Sequence, residues 1–251
     1  MKKLFLGSVA LVALGLGTPA AFAAEKAVPA YAPPPPPVPV YTWSGCYAGA
    51  SAGGNWGTSN RTAVVTTVPG GAGLPITGDF NLSGFIGGFD VGCNWQVGAW
   101  VFGVEGDWSA TNKSGQAFGQ FPFNQSRIHE TQERWLSTAR GRLGWTVWDK
   151  TLVYVTGGGA WAKVDGSTWM VGNPVGEKIE HTSTRSGWVV GVGAEYALGY
   201  GWSARGEYLY VDFGTHTTVG GIVPPAAAVF DVTDNRLFDH VVRVGLNYKF
   251  W

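Results

Sequence analysis

Large apolar residues alternate with small or polar ones over most of the chain beyond Tyr41. The closing stretch FDHVVRVGLNYKFW (238–251) shows the pattern. Val242, Val244, Leu246, Tyr248 and Phe250 interleave with Arg243, Gly245, Asn247 and Lys249. A period of two places each set on its own face of a β-strand. Eight such segments are predicted, at 43–56, 80–95, 100–110, 134–146, 151–164, 186–198, 202–213 and 237–250. No helical period is sustained, and no run after Tyr41 reaches 18 continuous apolar residues. A helix crossing a bilayer needs about 20.

The connections alternate strictly in length. QVGA (96–99), VWDK (147–150) and GYG (199–201) are short. The stretches 57–79, 111–133, 165–185 and 214–236 are long and rich in Gly, Ser, Thr, Asn and Pro. Tight turns on one side and long loops on the other are the sequence form of an up-and-down membrane barrel. A soluble sandwich has no need of the alternation, and long structureless loops count against one. The predicted fold class is therefore all-β: an eight-stranded antiparallel up-and-down transmembrane β-barrel with short periplasmic turns and four long outer loops. Closure is required because a bilayer offers no water to unpaired backbone groups.

Tryptophan supplies an independent check. Of 13 Trp, Trp43, Trp95, Trp100, Trp145, Trp202 and Trp251 fall at the periplasmic strand ends. Trp56, Trp108, Trp135, Trp161 and Trp188 fall at the outer ends, while Trp148 lies in a turn and Trp169 in a loop. Two girdles of interfacial aromatics are expected of a barrel.

With the large apolar residues facing lipid, the opposite parity carries Asp90, Glu105, Asp107, Glu195 and Glu207 against Arg140, Arg142, Arg205, Arg243 and Lys249. Residues equidistant from a hairpin's centre face each other. Glu195 and Arg205 are equidistant from 200, Glu207 and Arg243 from 225, and Glu105 and Arg140 from about 122. All three are opposite-charge pairs, favourable across strands and more so in a low-dielectric interior. Asp90 falls opposite Glu105 about the turn at 96–99. That acid–acid contact calls for a bridging base or a bulge. A lumen of paired charges favours a filled barrel over a wide channel. Eight strands enclose a space side chains can fill.

The chain begins with a basic MKK, an apolar LFLGSVALVALGLG (4–17) and Ala21-Phe22-Ala23. Residues 1–23 read as a secretory signal peptide. AVPAYAPPPPPVPVY follows, so 24–41 is expected to be a Pro-rich periplasmic segment in polyproline II, with the barrel at 42–251. Removing Lys2 and Lys3 with the signal leaves 15 basic against 17 acidic residues, and no basic patch argues for nucleic acid. The first loop centres near 68, which places Cys46 and Cys93 three residues out of register. A disulfide between them needs a register shift; the alternative is two free, outward-facing thiols.

Little in the chain suggests catalysis or a cofactor. HETQE (129–133) has a zinc-protease look but lies in a predicted loop and lacks the second histidine. His129, His181 and His216 fall in three different outer loops, with His240 near a strand's outer end, and are read as solvated. GGFDVG (87–92) and GVGAEYALG (191–199) lack the helix that a phosphate loop precedes. No catalytic, cofactor-binding or metal residues are assigned.

WSGCYAGASAGGNWG (43–57), GEYLYVDFG (206–214) and VRVGLNYKF (242–250) resemble the first-strand, penultimate-strand and last-strand motifs of small alphaproteobacterial outer-membrane β-barrels. These are the OmpA-type, porin-like surface proteins of rhizobial and related bacteria, and the resemblance covers roughly 41–250. It implies an eight-stranded barrel in the outer membrane of a Gram-negative bacterium, with a structural role in envelope integrity and surface loops on display. It does not imply an enzyme. A small porin for ions or solutes and a host-contacting adhesin remain as alternatives. Expected partners are outer-membrane lipids, peptidoglycan or host surface molecules, and the barrel assembly machinery, which would read Val242, Val244, Leu246, Tyr248 and Phe250. The chain departs from the pattern in carrying Trp251 after Phe250.

Overall fold

The computed structural model describes residues 41–65, 70–172, 179–219 and 232–250, all within one compact unit, Val40–Trp251. The expected signal peptide (1–23), the Pro-rich residues before Tyr41, and Trp251 lie outside the described residues.

The described residues form nine strands: β1 Gly45–Val65, β2 Pro75–Val97, β3 Trp100–Thr111, β4 Ser114–Phe118, β5 Arg127–Trp148, β6 Thr151–Met170, β7 Ile179–Gly199, β8 Trp202–Val219 and β9 Val232–Lys249. Every pairing is antiparallel, and β1 pairs with both β2 and β9, so the sheet closes on itself. Eight strands were expected. The ninth arises because the third is broken at Asn112–Lys113, where the Asn112 side chain accepts the Phe85 N–H at 2.7 Å. Beyond the break β4 keeps β3's place between β2 and β5. The wall therefore has eight positions.

The short connections are shorter than expected. Val97 pairs with Trp100 around Gly98, whose φ of 62° suits a residue without Cβ. The described parts of the four long connections are mostly strand rather than loop. β1 runs nine residues past Trp56, and β5 begins at Arg127. A tilted strand needs about 9–11 residues to cross a membrane, and these have 18–23 apart from β3 and β4. The excess is polar on its outward face. Thr58 pairs with Asn81 and Asn60 with Asp79, while Arg134, Asp165 and Thr182 join across three strands. Such residues carry no apolar alternation, so the pattern signals only the lipid-facing part of each strand.

Within that part the parity holds. Phe85, Phe89, Val91 and Trp95 are exposed, as are Trp100, Phe102, Val104 and Trp108. Val242, Val244, Leu246, Tyr248 and Phe250 form the exposed face at the end of the chain. A register shift between Glu133 and Trp135 on β5 reverses the parity, so Trp135 faces out while Glu133 faces in.

Cys46 and Cys93 are direct partners and form a disulfide, with Cα atoms 4.0 Å apart. Two irregularities in the β1–β2 ladder, between Ser59 and Thr62, absorb the offset expected from a regular hairpin.

Candidate functional site

The interior is filled in layers, and each is built from alternate residues of the eight wall positions. At the periplasmic mouth Trp43 is 2% exposed, packed with Val101, Leu152, Tyr154 and Ala197 under Tyr41. Its backbone N–H donates to Gln96 Oε1 at 2.8 Å, and the Gln96 backbone N–H donates to Ser44 Oγ at 2.9 Å. Trp43 is thus not the rim aromatic its position before β1 suggested. The chain enters the lumen there before it joins the wall, and the ring follows the apolar space.

Above Trp43 lies the charge network. Arg140 on β5 donates to Glu207 at 2.9 Å, to Asp107 at 3.0 Å and to Glu105. Arg243 on β9 reaches Glu207 at 2.8 Å and Asp107 at 3.0 Å. Arg205 on β8 spans the lumen to Glu105 at 2.6 Å and Asp90 at 2.7 Å. Arg142 donates to Glu195 at 2.9 Å and lies 3.9 Å from the centre of the Tyr154 ring. Tyr47 donates to Glu105 at 2.6 Å, Tyr154 to Glu207 at 3.1 Å and Ser203 to Glu195 at 2.5 Å, while Thr138 bonds Asp107. All nine charged side chains are 5% exposed or less. Buried charges are tolerable only with this density of partners.

The pairs expected from hairpin register meet different fates. Glu105–Arg140 and Glu207–Arg243 are register partners and ion pairs. Glu195 and Arg205 are register partners too, but Arg205 binds acids across the lumen and Glu195 is held by Arg142 and Ser203. In so narrow a lumen an arginine reaches the opposite wall as readily as the next strand. Asp90 faces Asp107, not Glu105, because the turn centres one residue later than expected. Arg205 is the base that bridges Asp90 to Glu105. Lys249 stands apart at the periplasmic mouth, bonding the Thr42 carbonyl oxygen with its ammonium 4.5 Å from the Tyr41 ring centre.

An apolar layer follows, with Ile86, Leu136, Val189, Leu209 and Val241 in one cluster. Above it sits a second charged group that the sequence reading missed. Lys113 bonds Glu133 at 2.6 Å and Asp239 at 2.5 Å, all three side chains being 0% exposed. Asn55 adds a hydrogen bond to Glu133 at 3.1 Å. Asp239 was legible, since it shares the parity of Arg243 two turns of the pleat away. Lys113 and Glu133 were not, because both fell in a predicted loop.

At the outer mouth, His129, His181 and His216 lie on β5, β7 and β8 rather than on loops. His129 is 9% exposed, and burial with the nearby Arg61 pushes its pKa down to about 3. Among the described residues no three His, Cys, Asp or Glu side chains are grouped to hold a metal ion. His240 faces outward among aromatics, 6.2 Å from the Trp56 ring, with Nδ1 2.6 Å from the Tyr208 hydroxyl.

The chain matches the outer membrane protein beta-barrel domain family over residues 9–250. It is 33% identical over 260 residues to the 31 kDa outer-membrane immunogenic protein of Brucella melitensis, covering 100% of both chains. Among solved structures it resembles the outer membrane protease OmpT of Escherichia coli, with TM-score 0.53, 10% identity, and coverage of 85% of this chain and 99% of that one. It also resembles the outer membrane protein OprG of Pseudomonas aeruginosa, with TM-score 0.50, 12% identity, and coverage of 82% and 97%. Closed wall, aromatic girdles and full-length likeness agree: this chain belongs to the outer membrane protein beta-barrel domain family and is a protein of the outer membrane.

Proposed function

We propose that this barrel is a structural, non-enzymatic element of the outer membrane that anchors surface hairpins and does not conduct. One observation carries the reading: the lumen is closed in successive layers, from Trp43 through the arginine–carboxylate network to the apolar layer around Leu209. A water file needs continuous polar space, and tightly packed apolar side chains interrupt it. The strands rise well past the outer girdle as polar ribbons, a form suited to display. The immunogenicity in the name of the Brucella relative fits surface display here as well. The fold shared with OmpT does not carry peptidase activity to this chain, since function rests on a site and not on a fold. The partners that go with this reading are lipids around the girdles, the assembly machinery at Val242–Phe250, and peptidoglycan or host molecules at the two aqueous ends.

Planar-bilayer recording of the refolded protein tests the reading. A flat baseline with at most brief flickers is expected. A stable, large conductance defeats it and favours the small porin.

A further inference from the structure

The register shift on β5 between Glu133 and Trp135 leaves Arg134 as an extra residue without a partner of its own on β6. Arg134 and Trp135 therefore both face outward, where regular pairing would turn one of them into the lumen. Trp135 is the register partner of Lys163 on β6, so the two bases stand side by side on the outer surface of adjacent strands. Lys163 lies two residues past Trp161, about 7 Å of strand. The rings of Trp108 and Trp161 are exposed on the same stretch of wall. The bases thus sit at the outer edge of the girdle, where hydrocarbon gives way to headgroups.

Their donors are largely unused. Arg134 is 53% exposed and donates through Nε alone, to Asp165 Oδ2 at 2.8 Å. An exposed ion pair of this kind is weak and readily shared. Lys163 has no hydrogen-bond or ion-pair partner among the described residues and acts on Asp165 only through its charge. One outward carboxylate, also bonded by Thr182 at 2.7 Å, therefore faces two bases. Elsewhere on the outer rim the outward charges are offset or acidic: Arg236 lies 3.7 Å from Asp212, and Asp79 accepts from Asn60. Glu130 and Glu180 share the rung of Ser167, four residues beyond Lys163 and further from the girdle.

We propose that Arg134 and Lys163 form a docking site for a lipid of the outer leaflet that carries a phosphate headgroup, its acyl chains lying against the wall at Trp108 and Trp161. The surplus positive charge stands at the level of the headgroups, with the acids of the same strands set above it. The free end of the guanidinium matches phosphate oxygens, and the ammonium adds a point charge beside it. Snorkelling accounts for a lone base at an interface; here a bulge sets a second base next to the first. The site refines the lipid contact proposed above and rests on the girdles as membrane boundaries. It does not depend on whether the lumen conducts, which bilayer recording decides separately.

The test is native mass spectrometry of the full chain, refolded in detergent and mixed with phosphatidic acid or with diacylglycerol of the same acyl chains. Retention of phosphatidic acid and not of diacylglycerol is expected. Arg134→Gln and Lys163→Gln should each weaken retention several-fold and the double variant about tenfold. Arg236→Gln, on the opposite part of the rim and already paired, should leave it unchanged. Asp165→Asn keeps an acceptor for Arg134 but removes the competing charge, so it should strengthen retention. Equal retention of diacylglycerol overturns the proposal, as does undiminished retention in the double variant. Displacement of the lipid by glycerol 3-phosphate at equal concentration overturns the lipid as the source of the phosphate. Should the double variant fail to fold, weaker or unchanged retention in Asp165→Asn overturns the proposal instead.

Discussion

Replacing Arg140 by alanine tests whether the charge network holds the barrel together. Arg140 is fully buried and donates to three carboxylates, Glu105, Asp107 and Glu207. Its loss leaves five buried acids facing three arginines in the network. Hydrogen bonds between charged groups are worth about 1.5–3 kcal/mol each, so three independent ones would total roughly 5–9 kcal/mol. They are not independent. Arg205 still holds Glu105, and Arg243 still holds both Glu207 and Asp107. The figure for breaking one partner of a buried ion pair, about 3–5 kcal/mol, is therefore the better expectation. Urea unfolding of the refolded protein at neutral pH, followed by tryptophan fluorescence and by the gel shift between boiled and unboiled samples, measures it.

The double variant Arg140→Ala/Glu207→Ala sharpens that test. Removing Glu207 along with Arg140 takes away one of the stranded acids, so the double loss should be smaller than the sum of the single losses. A single variant within about 1 kcal/mol of the parent, or a strictly additive double, refutes the view that these charges act as a mutually compensating network.

Three further outcomes are expected. Trp43→Ala should cost about 3–5 kcal/mol in the same unfolding assay, as deletion of a large buried aromatic does. Reducing the Cys46–Cys93 bond, which closes 47 residues of chain, should lower stability by at most about 4 kcal/mol on the chain-entropy account; mass after alkylation, with and without reductant, reports the bond directly. His129 should make stability fall on acidification. Its folded value of about 3 lies below the ordinary 6.5, so between those limits the unfolded chain takes up a proton that the folded one refuses. That contribution is absent above pH 6.5 and grows as the pH falls towards 3. His129→Gln should flatten that part of the slope of melting temperature against pH between 7.5 and 4.

The fold was legible wherever one face of a strand meets lipid. Phe89, Trp108 and Val244 announce the wall because the bilayer requires apolar residues on every second position, and the inward Arg140 and Glu207 follow by parity. Where the strands rise into water both faces are polar, the period-two signal vanishes, and β1 beyond Trp56 or β5 before Arg134 reads as loop. Lys113, Glu133, His129 and Arg61 were lost with it. The bulge at Arg134 concealed Glu133 a second time by reversing its parity. Trp43 was misread for another reason: the girdle rule concerns residues in the wall, and Trp43 precedes β1. The ion pairs were half legible, because register fixes which residues are neighbours in the sheet but not which guanidinium crosses the lumen.

Closure and stability are consequently the same property in this barrel, and closure is redundant. Without Trp43, the arginine–carboxylate network still fills the next level. Without Arg140, the layer of Ile86, Leu136, Leu209 and Val241 still offers no polar group to an ion, and above it Lys113 remains locked between Glu133 and Asp239. Loss of one layer should therefore appear first as loss of folded protein and not as current. A conducting variant would need gaps in at least two adjacent layers, the second opened in a barrel already weakened by the first. Stability thus limits how far this wall can be emptied, which, on the non-conducting reading proposed above, is a reason for an eight-stranded barrel to meet its surroundings at the hairpins instead of through the lumen.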